Sequence, residues 1–185
     1  DSLFVAEAWG RDAFTLLTQL AERTKRIKLG TGIVNYYSRT PAALAQHFAT
    51  LDELSEGRMI IGLGSSSANV VEHFHGVKFE PTLARMRDTV NIINMLMANQ
   101  NLEYTSKVFM PMERGFTLRF RPVREHIPIY LASFRPKAIK VVAEVADGWM
   151  PTMIPIQAAK AQTDQFLGYV KDAGRDPSAM TVRFL

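Results

Sequence analysis

Three stretches of this 185-residue chain place glycine, serine or arginine directly after an apolar run. Ile27 to Ile33 ends in Gly30 and Gly32. Met59 to Leu63 leads into Gly64, Ser65 and Ser66. Ile127 to Ala132 leads into Ser133, Phe134 and Arg135, just ahead of Pro136 and Lys137. Glycine lets another group approach the backbone. Small residues leave backbone N–H groups free for an anion, and serine hydroxyls add donors. A helix opening at Pro136 offers further N–H groups to a phosphate, and Arg135 can pair with the same charge. Two side chains can act as acid, base or ligand contact: Glu7, closing the run Leu3–Ala6, and His75, in Phe74-His75-Gly76. The chemistry in reach is capture of an anionic small molecule at strand ends.

The elements that must hold these residues alternate. Ser2 to Glu7 reads as a strand, and Asp12 as the cap of a helix with the stripe Phe14, Leu17, Leu20 and Ala21. Ile27 to Ile33 is a second strand. Thr40-Pro41 starts a helix with Leu44, Phe48 and Leu51 inward, and Glu56-Gly57 ends it. Met59 to Leu63 is the third strand, and Ser65 to Phe79 a serine-rich loop. Thr82 to Ala98 is a long helix. Residues 101–126 lose the helical period: Leu102 to Tyr104 and Phe116 to Phe120 alternate like a hairpin in a basic surface excursion. Ile127 to Ala132, Gly148 to Pro151 and Thr181 to Leu185 are the remaining strands. A helix that Ser133 to Lys137 turn into, with Ile139, Val142 and Ala143 inward, and another over Gln157 to Asp172 separate them. This β-α alternation predicts parallel strands with helices outside, as a (β/α)₈ barrel or a doubly wound sheet. Either architecture puts the ligand at the carboxyl ends of the strands. No GxGxxG opens a helix after a strand, which weakens a dinucleotide reading.

Composition narrows the classes. Hydrophobic residues make up 47%, enough for one folded domain over 1–185 rather than a disordered chain. A net charge of +4 favours anionic ligands but is too mild to argue nucleic acid, and the aromatics are not interleaved with Lys and Arg. Without cysteine there are no disulfides or thiolate metal sites, and a cytoplasmic location is the expectation. No run approaches the roughly 18 apolar residues of a membrane span, so no membrane partner is expected. His73-x-His75 without a carboxylate partner is a poor metal signal, and His47 and His126 read as structural.

Several strings resemble a known family. LFVAEAWGRDAF, IKLGTGI, TPAALAQHFATLDELSEGR, IGLG and IPIYLASFRPKAIKVVAEVADGW are similar, in that order over about residues 3 to 151, to the luciferase-like flavin-dependent oxidoreductases. The branch is that of the F420-dependent reductases and dehydrogenases, methylenetetrahydromethanopterin reductase among them. The most specific part is LDELSEGR before an apolar strand and Gly-x-Gly. The resemblance implies a (β/α)₈ TIM barrel of the bacterial luciferase-like type, with an excursion after strand four. This chain would then cover about strands two to seven.

The resemblance also implies roles. Gly32-Ile33 matches the position of a non-proline cis peptide that supports the middle ring of the deazaflavin. Glu7 matches an acidic residue at the ring's polar edge, its other reading being a loop acid that caps the next helix; Trp9 either stacks near the ring or covers the barrel rim. Gly64, Ser65 and Ser66 lie where the family holds the cofactor's side chain and phosphate. Ser133, Phe134 and Arg135 form the turn used for that phosphate, with Phe134 and Arg135 replacing the usual glycines. Ala8 and Ser67 stand where the sugar-phosphate dehydrogenases carry a catalytic His and Glu, which argues against that activity.

The expected function is therefore F420-dependent hydride transfer between the deazaflavin C5 and a small organic substrate, in a homodimer. The alternative cofactor is FMN, in a luciferase-like monooxygenase. The alternative of another class is a non-catalytic, incomplete barrel that associates through unpaired strand edges.

Overall fold

The computed structural model describes residues 1–184. Six strands form the parallel path: β1 (Ser2–Val5), β2 (Lys28–Thr31), β4 (Met59–Gly64), β7 (Ile129–Ala132), β8 (Gly148–Trp149) and β9 (Thr181–Val182). The two-residue β3 (Val34–Asn35) also pairs with β4. Helices α1 (Ala13–Arg23), α2 (Pro41–Leu54), α4 (Thr82–Met97), α5 (Pro136–Val145) and α6 (Ile156–Asp172) connect the strands. Burial explains their composition. All six residues of β4 are buried, as in a strand covered on both faces.

The sheet is rolled. β1 and β9 stand at opposite ends of the strand order, yet Arg183 beside β9 donates through Nη1 to Ser2 Oγ at 2.9 Å. Its guanidinium carbon also lies 4.1 Å from the centroid of the Phe4 ring.

Local signals predict the helix starts. Asp12 Oδ1 accepts from Thr15 N at 2.7 Å, and Thr40 Oγ1 accepts from Ala43 N at 3.2 Å, with Pro41 opening α2. After α2, Asp52 is fully buried and holds Arg124 of the excursion through its carboxylate. That pair ties residues 101–126 to the core.

Four expectations are corrected. The second strand does not run unbroken to Ile33: β2 stops at Thr31, the Gly32–Ile33 peptide is cis, and β3 resumes the pairing at Val34. The loop Ser65–Phe79 contains the short helix α3 (Ala68–His73), capped by Ser67. The hairpin pairs β5 (Leu102–Tyr104) with β6 (Met112–Phe116), not with Phe116–Phe120. Leu118 and Phe120 pack into the core instead, so their alternation reflects burial rather than a strand. The first strand ends at Val5, although Glu7 N still donates to Ile33 O at 3.1 Å. The expected last strand is seen as β9, and Leu185 lies outside the described residues.

Candidate functional site

The carboxyl ends of the parallel strands open on a cleft of about 560 Å³. Its floor comes from Ile33, Gly64 and Ala132, and one wall from Phe79, Leu83 and Met86. Ser65, Ser66 and Ser67 edge it on one side, and Ser133, Phe134 and Arg135 on the other. Seven of the nine candidates singled out for binding thus line one space: Ile33, Gly64, Ser65, Ser66, Ser133, Phe134 and Arg135. Gly32 directly precedes this lining, and Glu7 is outside it, joined to its floor by the bond from Glu7 N to Ile33 O at 3.1 Å.

Close packing of the floor favours glycine at position 64. A Cβ on Gly64 would sit 3.1 Å from Ile33 Cδ1 and 3.3 Å from the Ala132 Cβ. Two residues earlier on β4, a Cβ on Gly62 would meet Thr31 O at 1.7 Å. Thr31 and Gly62 also exchange hydrogen bonds: Thr31 Oγ1 donates to Gly62 O at 2.6 Å and accepts from Gly62 N at 2.9 Å.

The electrostatics of the cleft are one-sided. Arg135 and Lys137 are the charged residues of its lining. Both stand at the start of α5, where no side chain caps the helix. Pro136 has no N–H, and Ala138 N and Ile139 N both donate to Arg135 O at 2.9 Å, so the first turn leaves the Lys137 N–H, which with the two cations faces the same end of the cleft and suits a phosphate or carboxylate. Trp149 Nε1 donates to Ser133 O at 2.8 Å and fixes that turn from behind. Phe134 is 75% exposed and stands at the mouth.

Glu7 has other partners. Its carboxylate accepts from Arg39 Nη1 at 2.6 Å, from Arg39 Nη2 at 3.2 Å and from Ala13 N at 2.9 Å. Arg39 also reaches Asp12 and lies 4.8 Å over the Phe14 ring. Burial pushes the Asp12 carboxyl up, but the Thr15 N–H and hydroxyl and the Arg39 charge outweigh it and hold it below its ordinary value. His47, stacked on Phe14 at 4.6 Å, is lowered by burial and then by Arg39. A ring-edge contact by Glu7 would share oxygens already bound to Arg39. Trp9 is 69% exposed on the rim, and Ala8 beside it is also exposed.

His75 sits on the loop between Ala68 and Phe79, both of which line the cleft. Its Nε2 is 3.2 Å from Asn35 Nδ2. Asn35 is buried opposite Gly64 in the strand register.

Sequence reasoning missed Arg39, Asn35 and Tyr36. Tyr36 is fully buried behind Gly64, to whose carbonyl its N–H donates at 3.1 Å, and its hydroxyl has no hydrogen-bond partner among the described residues. Burial raises the Tyr36 pKa far above its ordinary value. The only signal for these three was their place directly after the glycine-terminated strand. A second groove of about 570 Å³, lined by Asn91, Asn94, Tyr104 and His126, lies on the outer side of α4, away from the strand ends.

With this geometry in hand, comparison with known proteins gives one family. Residues 1–184 match the family described as luciferase-like monooxygenase. The chain is 37% identical over 161 residues to a Mycobacterium tuberculosis protein provisionally named a coenzyme F420-dependent oxidoreductase, covering 82% of this chain and 46% of that one. It is 36% identical over 138 residues to the 5,10-methylenetetrahydromethanopterin reductase of Archaeoglobus fulgidus, covering 75% and 40%. The solved structure of a coenzyme F420-dependent tetrahydromethanopterin reductase from Methanopyrus kandleri superposes with a TM-score of 0.88 at 23% identity, over 98% of this chain and 56% of that one. The chain spans about half the length of the curated relatives it matches. The rolled parallel sheet is thus part of a luciferase-like (β/α)₈ barrel.

Proposed function

The chain belongs to the luciferase-like monooxygenase family, and from that premise we propose that it is the cofactor-holding part of an F420-dependent oxidoreductase acting on a small organic substrate. The observation that carries the reading is the shape and charge of the cleft. An apolar floor and wall end at two cations and an uncapped helix start. A planar ring with an anionic side chain fits such a space. The names of relatives 36–37% identical to this chain support F420 as that molecule.

Each residue then has a task. Arg135, Lys137 and the Lys137 N–H at the start of α5 hold the phosphate, and Ser65 and Ser66 add hydroxyls beside it. Ile33, with the backbone of Gly32, supports the ring from the floor. Met86 and Leu83 cover the ring's side and exclude water, which strengthens polar contacts inside. When bound, the deazaflavin supplies hydride chemistry at its C5, and the protein positions it. Glu7 acts indirectly: by holding Arg39 and the start of α1 it sets the rim on which the substrate lands. The same proposal includes a homodimer.

Fluorescence titration tests the reading. Saturable quenching of F420 with weak or no response to FMN is the expected result. Preferential FMN binding would move the chain to the flavin monooxygenase alternative. Binding of neither would leave the non-catalytic alternative.

A further inference from the structure

Behind the cleft lies a buried hydroxyl with nothing to bond. Tyr36 is fully buried, and its hydroxyl has no hydrogen-bond partner among the described residues. An unmet hydroxyl in the interior is costly, so such groups are rare. Burial, above all, raises the Tyr36 pKa, and the group therefore stays an O–H donor at neutral pH. Its place is set by the backbone. Tyr36 N donates to Gly64 O at 3.1 Å, one step past the Asn35–Gly64 pair of β3 and β4, so Tyr36 stands opposite Ser65. Ser65 is also the hydroxyl that acts on the phenol, lowering its pKa against burial; Arg85, the cation that acts the same way, has donors alone. The neighbouring Tyr37 has its own partner, since its hydroxyl donates to Thr82 Oγ1 at 3.3 Å.

Ser65 joins this hydroxyl to the cleft, whose edge it forms. Ser65 Oγ donates to Ser66 O at 3.1 Å, at an exposed position. A serine hydroxyl has one proton and two lone pairs, and that bond uses the proton alone. We infer that Tyr36 is a positioning residue for the anion: with the cofactor's phosphate in the cleft, Ser65 turns its proton from the Ser66 carbonyl to a phosphate oxygen and accepts the Tyr36 O–H on a lone pair. The exchange is favourable on each count. Water replaces Ser65 at the exposed carbonyl, the bond to an ionised oxygen is stronger than the one given up, and the buried phenol gains an acceptor. A donor feeding Ser65 Oγ also polarises its O–H toward the anion. Tyr36 is not in the cleft lining and acts through Ser65. The inference rests on the cofactor reading above and adds to it a buried relay behind the anion site.

Tyr36→Phe tests this, since it keeps the ring and removes the hydroxyl alone. Binding is read by fluorescence titration with F420 and with its phosphate-free ribityl deazaflavin, and stability by thermal melts without ligand. The variant should melt at or above the wild type, because it removes an unpaired buried group. It should bind F420 about 3- to 10-fold more weakly and the phosphate-free deazaflavin equally well. Ser65→Ala should show the same selectivity, and Tyr36→Phe should weaken F420 no further in that background. A lower melt in Tyr36→Phe, unchanged F420 affinity, equal weakening of both ligands, or full additivity with Ser65→Ala each overturns the inference, while F420 binding by the wild type spares the cofactor reading. No F420 binding by the wild type overturns both.

Discussion

Arg183 donates to Ser2 Oγ across 2.9 Å, although 181 residues and the full width of the sheet separate them. The contact joins the two outermost strands through a side chain, and the Phe4 ring under the guanidinium adds a cation–π contact. Arg183→Ala should lower stability by about 1–2 kcal/mol, the sum of one hydrogen bond and one partly desolvated cation–π pair. Urea unfolding checks this, and an unchanged midpoint would mean that the roll of the sheet does not depend on the bridge.

Thr31 and Gly62 serve each other across β2 and β4. Thr31→Val keeps the shape but strands the Gly62 N–H and carbonyl in the core, at a cost of about 2–3 kcal/mol. Gly62→Ala is worse, because its methyl would meet Thr31 O at 1.7 Å; soluble yield should collapse. Circular dichroism melts of both variants check the order of severity.

The pair His126–Asp147 gives stability a pH dependence. Its hydrogen bond to Asp147 raises the His126 pKa above the ordinary 6.5, against the opposing effect of burial. Burial alone would raise Asp147, but the hydrogen bonds from His126 and Ile129 N hold it below 3.8. A raised histidine stabilises fully below its unfolded value and loses that contribution as pH rises through its folded value. A lowered aspartate stabilises above its unfolded value and fails as pH falls. The pair therefore contributes between about pH 4 and 6.5 and fades on the alkaline side. His126→Asn should destabilise more at about pH 5 than at about pH 8.5. Equal losses at both values in urea titrations would show that the ion pair is not the cause.

Arg135→Ala and Lys137→Ala should each weaken F420 binding about 3- to 10-fold, and the double variant should also flatten its salt dependence. Titrations at low and moderate salt read both effects. Unchanged affinity in the double variant would place the anion elsewhere.

The sequence by itself determined the main parallel strands and the long helices between them, in their order. Caps such as Asp12 and Thr40-Pro41, the helical spacing of Leu44, Phe48 and Leu51, and the unbroken apolar run of β4 are local features, and each acts within a few residues. The strand ends carrying Ser65 and Ser133 follow from the same alternation, because parallel strands place their carboxyl ends on one face. Tertiary structure alone decided what Glu7 and His75 do. Glu7 turned to Arg39, 32 residues away, and His75 to Asn35, 40 residues away. The excursion misled because burial of Leu118 and Phe120 mimics a strand's alternation. Such partners depend on sheet register, the roll that brings Arg183 to Ser2, and the direction each side chain takes from its loop. Those are properties of the packed whole, and no spacing within the chain encodes them locally.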